Sequence, residues 1–92
     1  MALLISQQNE VYYLKGKLNS TNSRSFIIHF EYLLSITDHV KINVDEVNEY
    51  DINGVMAFEI LYAIALNNSK NLSVSSNFNN EIFSEISYIN AA

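Results

Sequence analysis

The alternation of apolar and polar residues predicts three strands in the first half of the chain. Residues 3–5 form a short apolar run, and residues 11–17 alternate at the two-residue period of a strand. Because the polar turn at Gln8 and Asn9 is short, these two strands are expected to pair as an antiparallel hairpin. Valine and isoleucine at alternate positions of residues 40–44 predict a third strand, which the acidic stretch 45–49 is expected to end.

Gly16 leaves two interpretations of the second strand open. It falls on the same face as Tyr12 and Leu14, and that face can pack against helices. Alternatively, Gly16 forms a bulge that admits a neighbouring backbone.

Apolar residues spaced three and four apart predict an amphipathic first helix. This helix is expected to start among the cap candidates at residues 19–23 and to run to about Thr37. The stripe that should face the core consists of Phe26, Ile27, Phe30, Leu33 and Leu34.

A second, more apolar helix is predicted after Gly54. Residues 51–54, Asp-Ile-Asn-Gly, combine helix-capping side chains with a glycine that allows a tight turn. Residues 55–66 are all apolar except Glu59. Such a helix either packs between the sheet and its neighbouring helix, or exposes its outer side as a binding patch together with the turn.

The remaining residues complete a single α/β domain over residues 1–92. Residues 71–76 predict another short strand, and a last helix is expected from Glu81. The core-facing stripe of that helix would be Ile82, Ile86 and Ile89. The element order is therefore ββαβαβα, with strands that are parallel where a helix separates them. The predicted fold is a mixed four-stranded sheet with helices packed mainly on one face.

The composition favours a protein partner over nucleic acid. Ten acidic and five basic side chains give a formal net charge of −5, and the basic residues are scattered along the chain. Nucleic-acid binding normally uses a basic patch. Cysteine is absent, which suits a reducing compartment. Because no apolar run approaches the roughly 20 residues of a membrane span and no signal peptide is visible, a cytoplasmic location without membrane insertion is expected.

Enzyme motifs are absent, so no catalytic function, cofactor or small-molecule ligand is expected. The chain has no Gly-rich phosphate loop, Gly-x-Ser-x-Gly elbow or His-Glu-x-x-His motif. Four carboxylates, at Asp45, Glu46, Glu49 and Asp51, could hold Mg²⁺ or Ca²⁺, but they lack the glycine-centred spacing of a calcium loop. We interpret them as a solvated acidic turn and expect no metal.

Two motifs resemble the STAS domain, the fold of bacterial anti-sigma factor antagonists. Residues 42–55, INVDEVNEYDINGV, resemble the central signature of that family, a strand and a short turn followed by Asp-Ser-Ser/Thr-Gly-Leu at the start of a helix. Residues 16–19, GKLN, resemble the Gly-x-Leu-Asp that closes the family's second strand. Each motif is common in α/β proteins. Here the two occur at the family's separation in a chain of matching length, so the resemblance covers nearly the whole sequence.

The resemblance implies about four strands with helices stacked on one side, and a regulatory function exerted by protein binding. The implied partner is a kinase-type anti-sigma factor. The alternative is an accessory subunit, like the small STAS proteins that bind the ATPases of lipid-transport complexes. The expected binding surface is the exposed patch considered above, the turn and the outer side of the apolar helix, with Asp51, Ile52, Asn53, Gly54, Val55, Met56 and Glu59.

Two positions depart from the family pattern. Family members typically carry a serine or threonine just before the motif's glycine, and the partner kinase phosphorylates it to switch off binding. Here that residue is Asn53, which has no hydroxyl and is expected to cap the helix. In the preceding strand, Asn43 stands where the family usually has an aspartate. Asp51 matches the aspartate that opens the family's motif. We therefore predict a retained scaffold that has lost its phosphorylation switch.

Overall fold

A computed structural model of the protein describes residues 3–76 and shows an α/β fold. Its elements in chain order are β1 (Leu3–Gln8), β2 (Val11–Leu18), α1 (Ser23–Ile36), β3 (His39–Tyr50), α2 (Ile52–Asn67) and β4 (Asn71–Ser75). The type and order of these elements agree with the prediction. The last predicted helix, from Glu81, lies outside the described residues.

The four strands form one mixed sheet in the order β1-β2-β3-β4. β1 pairs with β2 in the antiparallel direction, whereas β2 with β3 and β3 with β4 are parallel. This pairing confirms the predicted hairpin and the predicted parallel strands on either side of each helix.

Both helices cover the same face of the sheet. Strand residues that point toward the helices are buried, and Leu14 and Ile42 are 0% exposed. Their chain neighbours Lys15 and Lys41 point to the opposite face and are exposed, because successive strand residues alternate between faces. The prediction that helices pack mainly on one face holds for the described residues.

Aromatic side chains join the sheet and the two helices into one core. Tyr12 of β2 contacts Phe30 of α1 edge-on, with ring centroids 5.5 Å apart. Phe26 of α1 contacts Phe58 of α2 in a similar arrangement at 5.1 Å. Edge-to-face pairs of this kind add to the free energy gained from burying the rings.

The hairpin turn lies one residue later than predicted. Asn9 and Glu10 have φ angles of 52° and 69°, the two left-handed conformations of a type I′ turn, whose twist suits a tight hairpin. Gln8 therefore belongs to β1 and pairs with Val11. The prediction that Gln8 lies in the turn, and that β1 covers only residues 3–5, is wrong.

β3 extends to Tyr50, so the prediction that residues 45–49 end the strand is also wrong. The acidic stretch continues the parallel ladder with β2, and Leu18 lies opposite Tyr50 at its end. Val47 and Tyr50 pack against the core. These two apolar contacts hold the stretch in the sheet although its other positions are charged or polar.

Gly16 lies at an irregularity in the pairing of β2 with β3. The register shifts on both sides of it, between Tyr13 and Lys15 and between Gly16 and Lys17. Gly16 has a φ of 113°, a region that residues with a side chain rarely adopt. At both shifts the extra residue lies in β3, so Gly16 itself is not bulged and keeps its place in β2 opposite Leu3 and Val47.

Candidate functional site

Asp51 caps the N-terminus of α2. It has an extended backbone, with φ −104° and ψ −170°, and its Oδ1 accepts a hydrogen bond from the backbone N–H of Gly54 at 3.1 Å. The helix therefore begins at Ile52, and the prediction that Asn53 caps it is wrong. Asn53 lies within the first turn, next to the Asp51 carboxylate, and contributes to the lowered pKa of Asp51.

A second set of hydrogen bonds ties this cap to the turn that follows β2. Oδ2 of Asp51 accepts from the backbone N–H of Ser20 at 3.3 Å, and the Asp51 N–H donates to the Leu18 carbonyl oxygen at 3.4 Å. The turn itself is held by Asn19, whose Oδ1 accepts from the Thr21 hydroxyl at 2.6 Å. Sequence reasoning missed Ser20, because it lies 31 residues from Asp51 and no local pattern signals the contact.

Gly54 is buried where the start of α2 crosses the end of β2. A Cβ atom on Gly54 would lie 2.5 Å from the Leu18 carbonyl oxygen and 3.0 Å from the Tyr50 Cβ. Only a residue without a side chain allows this approach. Gly54 therefore shapes the predicted binding surface, but its own atoms are not on that surface.

Desolvation and four hydrogen bonds act on the pKa of the Asp51 carboxyl. Desolvation raises the pKa, but the N–H groups of Gly54, Ser20 and Asn53 and the Asn53 side chain together lower it below its ordinary value. A carboxylate with a lowered folded-state pKa stabilises the fold at any pH above the ordinary carboxyl value, near 4. That contribution is lost as the pH falls through the folded-state pKa.

We expect Asp51→Asn to flatten the dependence of stability on pH below about pH 5. In the parent, protonation of Asp51 weakens the hydrogen bonds that it accepts, so the free energy of unfolding should fall as the pH is lowered. Urea unfolding at a series of pH values measures this slope. The control is Asp38→Asn, which removes a 97% exposed carboxylate paired with Lys70. Equal flattening in the two variants would contradict the assignment of the effect to the cap.

The outer side of α2 carries a row of exposed apolar side chains, the α2 stripe, which consists of Ile52, Met56 and Ile60. They are 67%, 46% and 42% exposed, and their spacing of four residues places them in one row along the helix. Val55 and Glu59 beside the stripe are half-buried. The helix therefore combines the two interpretations drawn from its sequence, with a packed inner side and an exposed outer side. Ile60 was absent from the predicted site, although its spacing from Met56 could have revealed it.

α1 exposes a similar row, the α1 stripe, which consists of Ile28, Tyr32 and Ile36. These side chains are 55%, 62% and 57% exposed, and they lie opposite the buried side of α1. Both helices follow one strand and lead into a parallel neighbour on the same face of the sheet, so they run in the same direction. The two stripes therefore face away from the sheet on one side of the molecule. Sequence reasoning missed the α1 stripe.

The carboxylates of the acidic stretch do not gather around one point. Glu49 pairs with Lys17 on the surface, with Oε1 and Nζ 3.4 Å apart, and Asp45 accepts from the Asn43 amide at 3.2 Å. β3 continues through this stretch with two shifts in its register against β2, so its carboxylates are spread along the strand. Within residues 3–76, no group of three histidine, cysteine, aspartate or glutamate side chains is placed to hold a metal ion.

No family model matches this chain, and no curated protein matches it. Neither helix in the described part of the chain is long and apolar enough to cross a membrane. The features that bear on function are therefore the α2 N-terminus and the α2 stripe.

Proposed function

We propose that the protein is a STAS-like, non-enzymatic regulatory domain of the cytoplasm that binds a kinase-type anti-sigma factor. The binding surface consists of Asp51, Asn53 and Val55 at the α2 N-terminus, which buried Gly54 holds against β2, and of the α2 stripe, with Glu59 at its side. The observation that carries the proposal is the row of exposed apolar side chains that begins at the capped turn. Monomeric proteins rarely keep such a surface exposed without using it for binding.

Contacts between the two motifs support the resemblance to the STAS family. Residues 16–19 end β2 and begin the following turn, and residues 51–54 begin α2. The Leu18 carbonyl oxygen accepts the Asp51 N–H and is also the atom nearest to the position of a Cβ on Gly54. The two motifs therefore form one structural unit, as expected if both belong to a single family signature.

The chemistry of the surface fits a protein partner. Ile52, Met56 and Ile60 supply apolar contact area, and the exposed polar residues Asp51 and Asn53 border it at one end. An apolar centre with a polar rim is the usual anatomy of a protein interface. A net charge of −5 disfavours contact with a phosphate backbone.

Asn53 accounts for the proposed loss of a switch. It is exposed in the first turn of α2, at the position where the STAS pattern has its phosphorylated hydroxyl. The amide of asparagine accepts no phosphate, so phosphorylation at position 53 does not switch partner binding off. The turn is nevertheless still polar, because the asparagine amide is exposed beside the Asp51 carboxylate.

Incubation with the partner kinase and ATP should leave the parent protein unmodified, because Asn53 has no hydroxyl. Asn53→Ser restores an acceptor in the same turn and should gain one phosphate. Intact-mass spectrometry distinguishes the two results. Stoichiometric phosphate on Ser20, Thr21 or Ser69 of the parent would contradict the loss of the switch and would place regulation elsewhere.

Met56→Ala should weaken partner binding by about 1–2 kcal/mol with little effect on folding, because Met56 is 46% exposed on the proposed surface. Titration calorimetry measures the affinity, and thermal unfolding measures the stability. Ile36→Ala is the matched control, since it removes an exposed apolar side chain from the α1 stripe and should bind as the parent does. If Met56→Ala lowered stability and affinity equally, Met56 would belong to the core.

A pull-down from native lysate with parent and Met56→Lys baits tests the class of partner. A kinase-type anti-sigma factor captured by the parent alone would support the proposal. A transport ATPase captured in the same pattern would support the alternative, an accessory subunit. Equal capture by the two baits would contradict the assignment of the α2 stripe.

A further inference from the structure

The outer edge of β1 is an unprotected strand edge. Within the described residues, no strand pairs with β1 on the side away from β2. The pairing with β2 runs over six consecutive residues without a register shift, and Leu3–Gln8 contains neither a proline nor a charged residue. Proteins usually protect such an edge with lysine, proline or a bulge. A regular and neutral edge of this length therefore indicates a surface for strand pairing.

The hairpin register shows which backbone groups point outward. The two-residue turn at Asn9 and Glu10 closes on Gln8 and Val11, which form a hydrogen-bonded pair in a type I′ hairpin. Hydrogen-bonded and non-hydrogen-bonded pairs alternate along antiparallel strands. The residues whose backbone N–H and C=O groups point away from β2 are therefore Leu3, Ile5 and Gln7.

Apolar surface adjoins this edge on both faces of the sheet. On the helix face, a groove of about 260 Å³ lies between β1 and α1. Its lining residues are Leu3, Ile5, Asn22, Ser25, Phe26 and His29. On the opposite face, Leu4 is 58% exposed. Unpaired backbone beside a groove for alternate side chains is the arrangement that accepts an added strand.

We propose that the β1 edge is a homodimer interface, in which the β1 strands of two copies pair antiparallel across a two-fold axis perpendicular to the sheet. This operation joins the two four-stranded sheets into one sheet of eight and keeps both helix layers on the same side. It also brings Leu3 and Ile5 of one protomer beside the groove of its partner. The outward backbone groups of both strands are then paired.

The neutrality of β1 allows a second copy to occupy this edge, and two-fold pairing of identical strands satisfies the outward N–H and C=O groups of both copies. Two chains of net charge −5 repel each other over most of their surfaces, whereas β1 carries no charge to oppose contact. The nearest acidic residue in sequence, Glu10, lies beyond one end of β1. Antiparallel pairing places the two copies of Glu10 beyond opposite ends of the paired strands, about 30 Å apart, which is more than three times the Debye length of about 8 Å in physiological salt. A basic peptide would find no complementary charge on β1 itself.

Sedimentation equilibrium of the full chain over a range of concentrations should show a species of twice the 10.5 kDa chain mass. Gln7→Pro removes one outward N–H from each protomer and leaves the pairing with β2 intact, because proline is tolerated at an edge position whose N–H is free. It should raise the dimer dissociation constant at least about tenfold. Gln7→Ala removes the same side chain but keeps the N–H, and should dimerise as the parent does.

Ser6→Lys provides a second test that leaves the backbone unchanged. It places a charge on an exposed position of β1, and two lysines near the two-fold axis should prevent pairing. Ser73→Lys adds the same charge to β4, at the other edge of the described sheet, and should leave the dimer intact. Circular dichroism and thermal unfolding verify that each variant is folded. A monomeric parent, a dimer insensitive to Gln7→Pro and Ser6→Lys, or a dimer lost only in Ser73→Lys would overturn the proposal.

Discussion

Gly54→Ala should destabilise the fold by about 3 kcal/mol, although the same change in an ordinary helix stabilises it by about 1 kcal/mol. The added Cβ would lie 2.5 Å from the Leu18 carbonyl oxygen. That oxygen belongs to the backbone and cannot rotate away as a side chain could. The start of α2 must therefore move off β2, which also weakens the contact between Asp51 and Ser20.

Urea unfolding measures this effect, and thermal unfolding should show a melting temperature lower by about 10–20 °C for a domain of this size. Ala63→Gly is the matched control, because it makes the reverse exchange at an exposed position of the same helix. It should cost only the ordinary propensity difference, about 1 kcal/mol. A Gly54→Ala variant as stable as the parent would show that α2 and β2 are not held at the distance described.

Periodicity predicted the elements of this fold, but not where all of them end. The alternation in residues 40–44 located β3, and the three-and-four spacing located α1. The acidic stretch 45–49 was misassigned because charge suggested a turn, whereas the pairing with β2 and the packing of Val47 and Tyr50 keep it extended. The pairing with β2 and the core contacts of Val47 and Tyr50 depend on residues far away in the sequence, so the local pattern of residues 45–49 does not predict them.

In the candidate site, too, the local sequence predicted some features, whereas others depend on contacts between residues distant in the sequence. Aspartate and asparagine both cap helices, so composition alone did not distinguish Asp51 from Asn53. The hydrogen bond of Asp51 to the Gly54 N–H decides between them. The hydrogen bond from the Ser20 N–H to the Asp51 carboxylate depends on the packing of the end of β2 against the start of α2. That packing is determined by the whole fold and not by the local sequence.

The exposed stripes were the hardest feature to predict, because apolar residues in a helix ordinarily indicate the core. Met56 was expected on the outer side of α2, in the alternative that gave this helix a binding patch, and it is exposed. Ile28 and Ile36 were given no role, since one helix can face both the core and a partner and its sequence does not separate the two. Burial is a property of the whole molecule.

Asn53→Asp should weaken partner binding by about 2–4 kcal/mol, which is roughly 30-fold to 1000-fold in affinity. The variant replaces an exposed amide in the first turn of α2 with a second carboxylate close to that of Asp51. At the proposed contact the new charge must lose its water without a prearranged cation, and so it partly mimics the phosphate of ordinary family members.

Folding should change much less than binding in this variant. A negative charge in the first turn of α2 gains from the helix dipole, while repulsion from Asp51 opposes that gain, so the free energy of unfolding should change by less than about 1 kcal/mol. Asn53→Ser is the matched control, because it introduces a small neutral side chain and should bind nearly as tightly as the parent. Titration calorimetry with the partner, together with urea unfolding of each variant, separates the two effects. If Asn53→Asp binds as tightly as Asn53→Ser and the parent, Asn53 serves only to support the Asp51 cap, and the partner contacts another part of the helix layer.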